Sequence, residues 1–256
     1  WWLCLPLMVA IIIGGLGFPV IFQLRTSLFK PYSWSLHTRM VLAGTAGLLL
    51  FSSLIVTVSE WNNPKTLGKL PAADALLAGI FQAVQTRTTG FNSVDIGQMH
   101  DSTLLAMDMF MFIGAGPAGT AGGIKITTMF ALLAIVAAVI RGRRQVVVFG
   151  KSISFEVVYQ AVTVVVLAFI LVATATIAIL FLTDFNLSQV LFEVTSAFGT
   201  VGLSTGITPL LNYPAQFILI VLMIIGRLGP ITVATALAFA PSASNISFPV
   251  ERPIIG

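Results

Sequence analysis

The chain has 256 residues, 57% of them hydrophobic and 9% charged, with a formal net charge of +4. A soluble domain carries about 25% charged and 45–50% apolar residues, so the composition excludes an ordinary soluble protein and gives a membrane protein, which the helical runs and repeats below make all-α. Its basic residues form small clusters between apolar runs and no basic face, a pattern that reports membrane topology and excludes nucleic acid as a partner.

The chain begins at Trp1 inside an apolar run with no basic segment before it, so it reads as part of a longer protein without a signal peptide. Cys4 is the only cysteine and has nothing to pair with in the chain. Residues 1–24 are apolar for long enough to cross a bilayer. Residues 25–39 hold Arg25, Lys30 and Arg39 and no acid, so this loop is placed in the cytoplasm. Residues 40–59 form the next span, which ends at Glu60 and Trp61. Residues 73–84 then have a helical pattern but are too short to span, which suits a re-entrant helix. They lead into QTRTTGFNSVD, residues 85–95, which is polar and without period.

Residues 104–140 are apolar for 37 positions. As one helix they would reach roughly 55 Å at 1.5 Å per residue, against a hydrocarbon core of about 30 Å. A break is expected at GAGPAGTAGG, residues 114–123, where Pro117 stands among five glycines. Arg141, Arg143, Arg144 and Lys151 form a second basic cluster, again cytoplasmic. Residues 157–182 are the next span. Residues 186–198 are a second short helix, with Asn186 or Ser188 as its cap, and GTVGLSTG follows. Residues 214–240 are the last span, and residues 241–256 form a tail.

The order long helix, short helix, polar glycine-containing strand, long helix thus occurs twice. The two copies share letters, IFQAVQTRTTGFNS beside LFEVTSAFGTVGLST, so that Gly90 aligns with Gly202 and Thr88 with Thr200. Irregular backbone at membrane depth must line water or be buried in protein. A polar strand of this kind, after a half-helix, turns carbonyls toward an axis as a cation filter does. The candidate filter residues are Thr88, Thr89, Gly90 and Phe91 with Thr200, Val201, Gly202 and Leu203.

The segments TRTTGFN, GPAGTAGGIKITT, FEVTSAFGTVGLS and IGRLGPIT resemble the Trk/Ktr/HKT superfamily of potassium transporters, most closely the Ktr-type membrane pore subunit. That resemblance implies four helix–pore-helix–filter–helix repeats. It assigns residues 1–24 to the last helix of the second, 40–151 to the third and 152–240 to the fourth. It also implies K⁺ uptake with Na⁺ admitted as a coupling ion, and no cofactor in this chain. The partners would be a second full-length subunit in a homodimer and a cytosolic RCK-type nucleotide-binding regulatory ring. The location would be the bacterial inner membrane.

The same resemblance makes residues 114–126 an intramembrane gating loop beneath the filter. Gly114, Gly116, Gly119, Gly122 and Gly123 are expected to supply its flexibility, with Thr120 and Thr127 satisfying freed backbone groups. Arg227, centred in the last apolar run, costs about 2.5–3.5 kcal/mol to insert alone. It is therefore expected to bond carbonyls of this loop and to add a positive barrier. Lys125 either joins that barrier or snorkels. Arg87 is expected to brace the filter from behind, and Glu193 to hold buried backbone. His37 and His100 read as loop residues with no metal pattern.

Gly114, Gly116 and Gly119 also fit the G-x-G-x-x-G fingerprint, which raises an alternative: a membrane oxidoreductase holding a flavin or nicotinamide. Against it, both flanks are apolar, and no acid occurs between Asp108 and Glu156 to hold a ribose. No catalytic constellation is present, so no enzyme is expected.

Overall fold

The structure, a computed structural model, describes residues 2–143 and 145–229. Its helices are α1 (Cys4–Leu16), α2 (Phe18–Ser27), α3 (Leu36–Glu60), α4 (Ala72–Gln85), α5 (Asp101–Phe112), α6 (Ile126–Ile140), α7 (Phe155–Leu182), α8 (Leu187–Gly199) and α9 (Tyr213–Leu228). A small antiparallel hairpin, β1 (Val147–Val148) with β2 (Lys151–Ser152), joins α6 to α7. By length and composition α3 and α7 cross a membrane, and the bent pair α1–α2 makes a third span if counted as one.

The two predicted repeats are present as units. In one, α3 packs on the short α4 and on a broken second helix, α5 then α6. In the other, α7, the short α8 and α9 pack on one another. The α7 helix buries Ala161, Ala168, Val172, Ala175 and Ile179. Small residues at helical spacing let the neighbouring backbones come close. Its other faces expose Val166, Phe169, Ile170 and Phe181, as a lipid-facing helix does.

Local chemistry sets the helix starts. The Ser35 side chain accepts from Thr38 N–H and starts α3 at Leu36, so His37 lies in that helix and not in the 25–39 loop. Asn212 accepts from Ala215 N–H at the start of α9, where Pro214 stands in the first turn. Asn186 caps α8, its N–H donating to Gln189 Oε1 at 3.4 Å.

Two spans differ from expectation. Residues 1–24 are not one straight crossing: α1 and α2 meet at 99°. Gly17 has φ +83°, and a Cβ there would lie 2.2 Å from the Pro117 carbonyl oxygen. The bend thus comes from packing against the 114–123 segment, which a hydropathy window does not register. Among the described residues, α9 ends at Leu228, where Gly229 has φ +91°. Arg227 therefore sits in a final helical turn, not mid-helix. The rest of the 214–240 run and the 241–256 tail lie outside the described residues.

The ends of the repeats sort to two sides. The starts of α3, α6 and α7 line one cavity. At the opposite side, Gly97 approaches the Thr205 carbonyl, and Glu60 accepts from His100 N–H, bringing the loops after α3, α4 and α8 together. Both basic stretches are thus on one side and the loops after α4 and α8 on the other.

Candidate functional site: two filter-like strands over an intramembrane loop

The aligned positions adopt matching backbone. Thr88 has φ +65° and Thr200 has φ +51°; Gly90 has φ +70° and Gly202 has φ +89°. A β-branched residue in the left-handed region is strained, so finding it at the same place in both repeats marks a designed conformation. The strands also meet. A Cβ on Gly90 would lie 3.0 Å from the carbonyl oxygens of both Val201 and Gly202, so these carbonyls face the other strand.

Side chains anchor the second strand from behind. Val201 and Leu203 are buried in the core with Val56, Leu67, Met107 and Met111, while Gly202 between them is exposed. The Ser196 hydroxyl donates to Leu203 O at 2.6 Å. Glu193 is 5% exposed and takes donors from Ser204 Oγ (2.7 Å), Thr205 N (2.9 Å), Thr205 Oγ1 (3.1 Å) and Thr208 Oγ1 (2.6 Å). It braces the segment after the strand. In the first strand, Thr89 Oγ1 donates to Gln85 Oε1 at 2.6 Å. Arg87 is 5% exposed and reaches away from the strand to α3, its Nη2 donating to Thr45 O at 3.3 Å.

Beneath the strands lies a cavity of about 530 Å³, lined by Thr88, Thr120, Thr200, Met223, Ile224, Arg227 and Leu228. The hydroxyls of Thr88 and Thr200 are buried without a hydrogen-bond partner among the described residues. Buried hydroxyls are normally satisfied, and two equivalent orphans at one cavity suit a polar or cationic visitor.

The 37-residue run breaks as expected, into α5, an irregular segment 113–125, and α6. The non-helical part starts at Ile113 and ends at Lys125, the residue that caps α6, so the 114–126 boundary moves by one residue. Its glycines do not work as expected. Of the five, only Gly123 has a positive φ (+69°). The others permit close approach. A Cβ on Gly122 would stand 2.6 Å from Thr200 Oγ1, and one on Gly116 would stand 2.6 Å from Leu16 O. Gly114 faces Gly122 O, and Gly119 faces Gly14 O. The segment is fitted to its surroundings, with Gly122 directly under the second strand.

It is also strapped. Gly116 N–H donates to Gly15 O at 2.8 Å, Thr120 N–H to Gly14 O at 3.2 Å and Gly123 N–H to Gly226 O at 3.2 Å. Phe18 N–H donates to Ala118 O at 3.3 Å. The Arg227 guanidinium donates to Thr120 O. Lys125 Nζ folds back to Ala121 O and does not snorkel. Two cations thus hold two consecutive carbonyls. Thr127, expected to satisfy freed backbone, instead lines the cavity on the basic side and makes no side-chain hydrogen bond among the described residues.

Sequence reading missed three features. Gly14, Gly15 and Gly17 form the seat of the 113–125 segment; the cluster GGLG before Pro19 was the available signal. Gly226 packs so closely on α8 that a Cβ would collide with Phe198 O at 1.9 Å. Glu60, fully buried, collects Asn63 Nδ2, Thr66 Oγ1, His100 N and Thr103 Oγ1 at 2.6–2.9 Å, and ties the outer loop to α5. A terminal acid at a span boundary carries no signal of such a role.

The G-x-G-x-x-G alternative fails on geometry. No strand precedes the glycines, and the segment's N–H groups at Gly116, Thr120 and Gly123 already donate to carbonyls of other helices. A dinucleotide loop needs such groups free for phosphate.

Comparison with known proteins identifies the family and the fold. A family model described as a cation transport protein, TrkH, matches residues 1–248. The chain is 42% identical to Ktr system potassium uptake protein B of Bacillus subtilis (strain 168), over 93% of the chain and 53% of that protein. It is 36% identical to Ktr system potassium uptake protein B of Vibrio alginolyticus, over 96% of the chain and 54% of that protein. The chain therefore spans about half the length of the curated relatives it matches. In fold it is similar to the potassium transporter TrkH from Vibrio parahaemolyticus, with a TM-score of 0.74 at 17% identity, covering 92% of this chain and 52% of that one. On the family match and the relatives' identity, the chain belongs to the TrkH family of cation transport proteins.

Proposed function

We propose that the chain is part of the pore-forming subunit of a potassium uptake system, supplying two of its filter strands and its gate. The observation that carries this is the pair of strands at 88–91 and 200–203. They share their left-handed threonine and positive-φ glycine, and they meet at Gly90 with the Val201 and Gly202 carbonyls facing across. Carbonyl oxygens held at such an axis replace the hydration shell of K⁺. Val201 and Leu203 are directed into the core, and glycine leaves the axis clear.

In this reading K⁺ passes the strands and enters the cavity where the Thr88 and Thr200 hydroxyls lack partners among the described residues. The 113–125 segment closes the floor of that cavity. Gly114, Gly116, Gly119, Gly122 and Gly123 let it pack, and Thr120, Lys125 and Arg227 lock it and raise a positive barrier. Two strands enclose half of a filter, and the relatives are about twice as long. These units are accordingly assigned as the third and fourth of four, with residues 1–24 ending the second. The Ktr system names of the relatives support a transporter that works with further subunits; in this reading full-length subunits would pair and a cytosolic nucleotide-binding ring would dock on the basic side.

The test is radioactive rubidium uptake into liposomes holding the full-length transporter that contains this chain, in competition with K⁺ and with Na⁺. Competition by K⁺ and not by Na⁺ is expected. Absence of uptake from folded, correctly inserted protein, with the regulatory ring supplied, would refute the reading.

A further inference from the structure

A cavity of about 590 Å³ is lined by none of residues 88–91 or 200–203. It lies where α3, α6 and α7 begin, on the side that carries both basic stretches. Its floor is apolar: Met40, Ala131 and Ala161 are buried there in one cluster with Val148 of the hairpin. Its rim is polar. His37, Thr127, Ser152, Ser154 and Gln160 line it, and none of these side chains makes a hydrogen bond among the described residues. Ser154 stands at the N-cap of α7 without a side-chain capping bond. His37 Nε2 is buried and unpartnered.

Charge beside the rim is basic except for Glu156, two residues after Ser154 in the first turn of α7. Lys151, next in chain to Ser152, is exposed, with Arg141 and Arg143 exposed at the root of the same hairpin. No acid occurs from 141 to 152, and the nearest, Glu156, does not line the cavity. An apolar slot between membrane helices, a hydroxyl-rich mouth and adjacent cations form one amphipathic site. The volume is within the range of small-molecule pockets, about 300–1,000 Å³.

We propose that this cavity binds an anionic phospholipid of the cytoplasmic leaflet, with an acyl chain against Met40, Ala131 and Ala161 and the phosphate beside the hairpin. Basic pockets between membrane helices on the cytoplasmic side recognise such headgroups. The leaflet assignment rests on the topology proposed above, and the site itself does not. The occupant would touch Thr127 in the first turn of α6, the helix that directly follows the 113–125 segment.

The experiment is native mass spectrometry of the full-length transporter, titrated in detergent with phosphatidylglycerol or phosphatidylcholine, with inorganic phosphate as a separate arm. Retention of phosphatidylglycerol over phosphatidylcholine is expected, with no adduct from phosphate alone. Ala161→Trp, which fills the slot, should abolish that retention. Lys151→Ala should weaken it about five-fold, the size of one basic residue's contribution near a membrane. Lys151 is exposed, so this variant decides the matter if Ala161→Trp does not fold. Equal retention of the two lipids overturns the proposal. So does unchanged phosphatidylglycerol retention in a folded Ala161→Trp protein or in Lys151→Ala, or an adduct formed by phosphate alone. The readout contains no transport step, so a protein that carried no K⁺ would leave this result intact.

Discussion

Gly226 and Arg227 are neighbours with opposite tolerances. A methyl group on Gly226 would sit 1.9 Å from the Phe198 carbonyl oxygen, and that atom is backbone at the end of α8, so it has nowhere to go. Gly226 O also receives Gly123 N–H, so the same shift would disturb the 113–125 segment. Gly226→Ala is expected to lower the stability of the transporter by about 1–3 kcal/mol, the usual cost of overpacking, read as a fall in melting temperature in detergent. Arg227 is exposed in this chain and holds its place through Thr120 O. Arg227→Ala should leave the melting temperature nearly unchanged. In the function proposed above it should raise rubidium flux several-fold, because it would remove a lock and a positive barrier together. Unchanged flux in a folded variant would remove Arg227 from the gate. Arg227 was legible in the sequence because a charge in an apolar run must find a partner. Gly226 was not, because glycine in an apolar run looks the same whether it packs against backbone or faces lipid.

At the scale of elements, length was the informative quantity. Residues 73–84 and 186–198 are too short to span, and residues 104–140 too long, and the structure has two half-helices and a broken helix there. The bend at Gly17 was illegible for a physical reason: its cause is 100 residues away, at Pro117. The same holds for the loop glycines, whose small size matters through contacts with Gly14, Leu16 and Thr200 that no local pattern encodes. The elbow between α1 and α2 emerges as the wall against which the 113–125 segment is seated. Gly17→Ala would put a Cβ on the Pro117 carbonyl and force an unfavourable φ, so the elbow must open or the segment must lift. Faster hydrogen exchange at the amides of Gly116 and Thr120 is expected, since both donate to α1. Rubidium flux should rise with it. Exchange that stays at the parent rate would show that the straps survive without the elbow.

For the whole molecule, the question is what two strands can do. The Val201 and Gly202 carbonyls face Gly90, and the opposite side of Gly202 is open. Exposed apolar residues on α9, Phe217, Ile220 and Ile224, share that helix with Met223, which lines a pocket together with Gly202. A lipid tail cannot replace a carbonyl, because irregular backbone at membrane depth must be met by protein or water. An ion at the axis would thus be coordinated on one side only, while the hydration it sheds must be matched on all sides. The 256-residue chain alone in liposomes is accordingly expected to give no K⁺-selective rubidium uptake, even when folded and inserted. Co-expression with the missing half of the relatives' length should restore uptake, and restoration should fail when Gly202 is replaced by valine, whose branched side chain would occupy the axis. Selective uptake by the chain alone would mean that two copies complete the filter between them. Cross-linking across Gly202, through a cysteine introduced at that position, would then join two chains, whereas in the expected assembly it joins none.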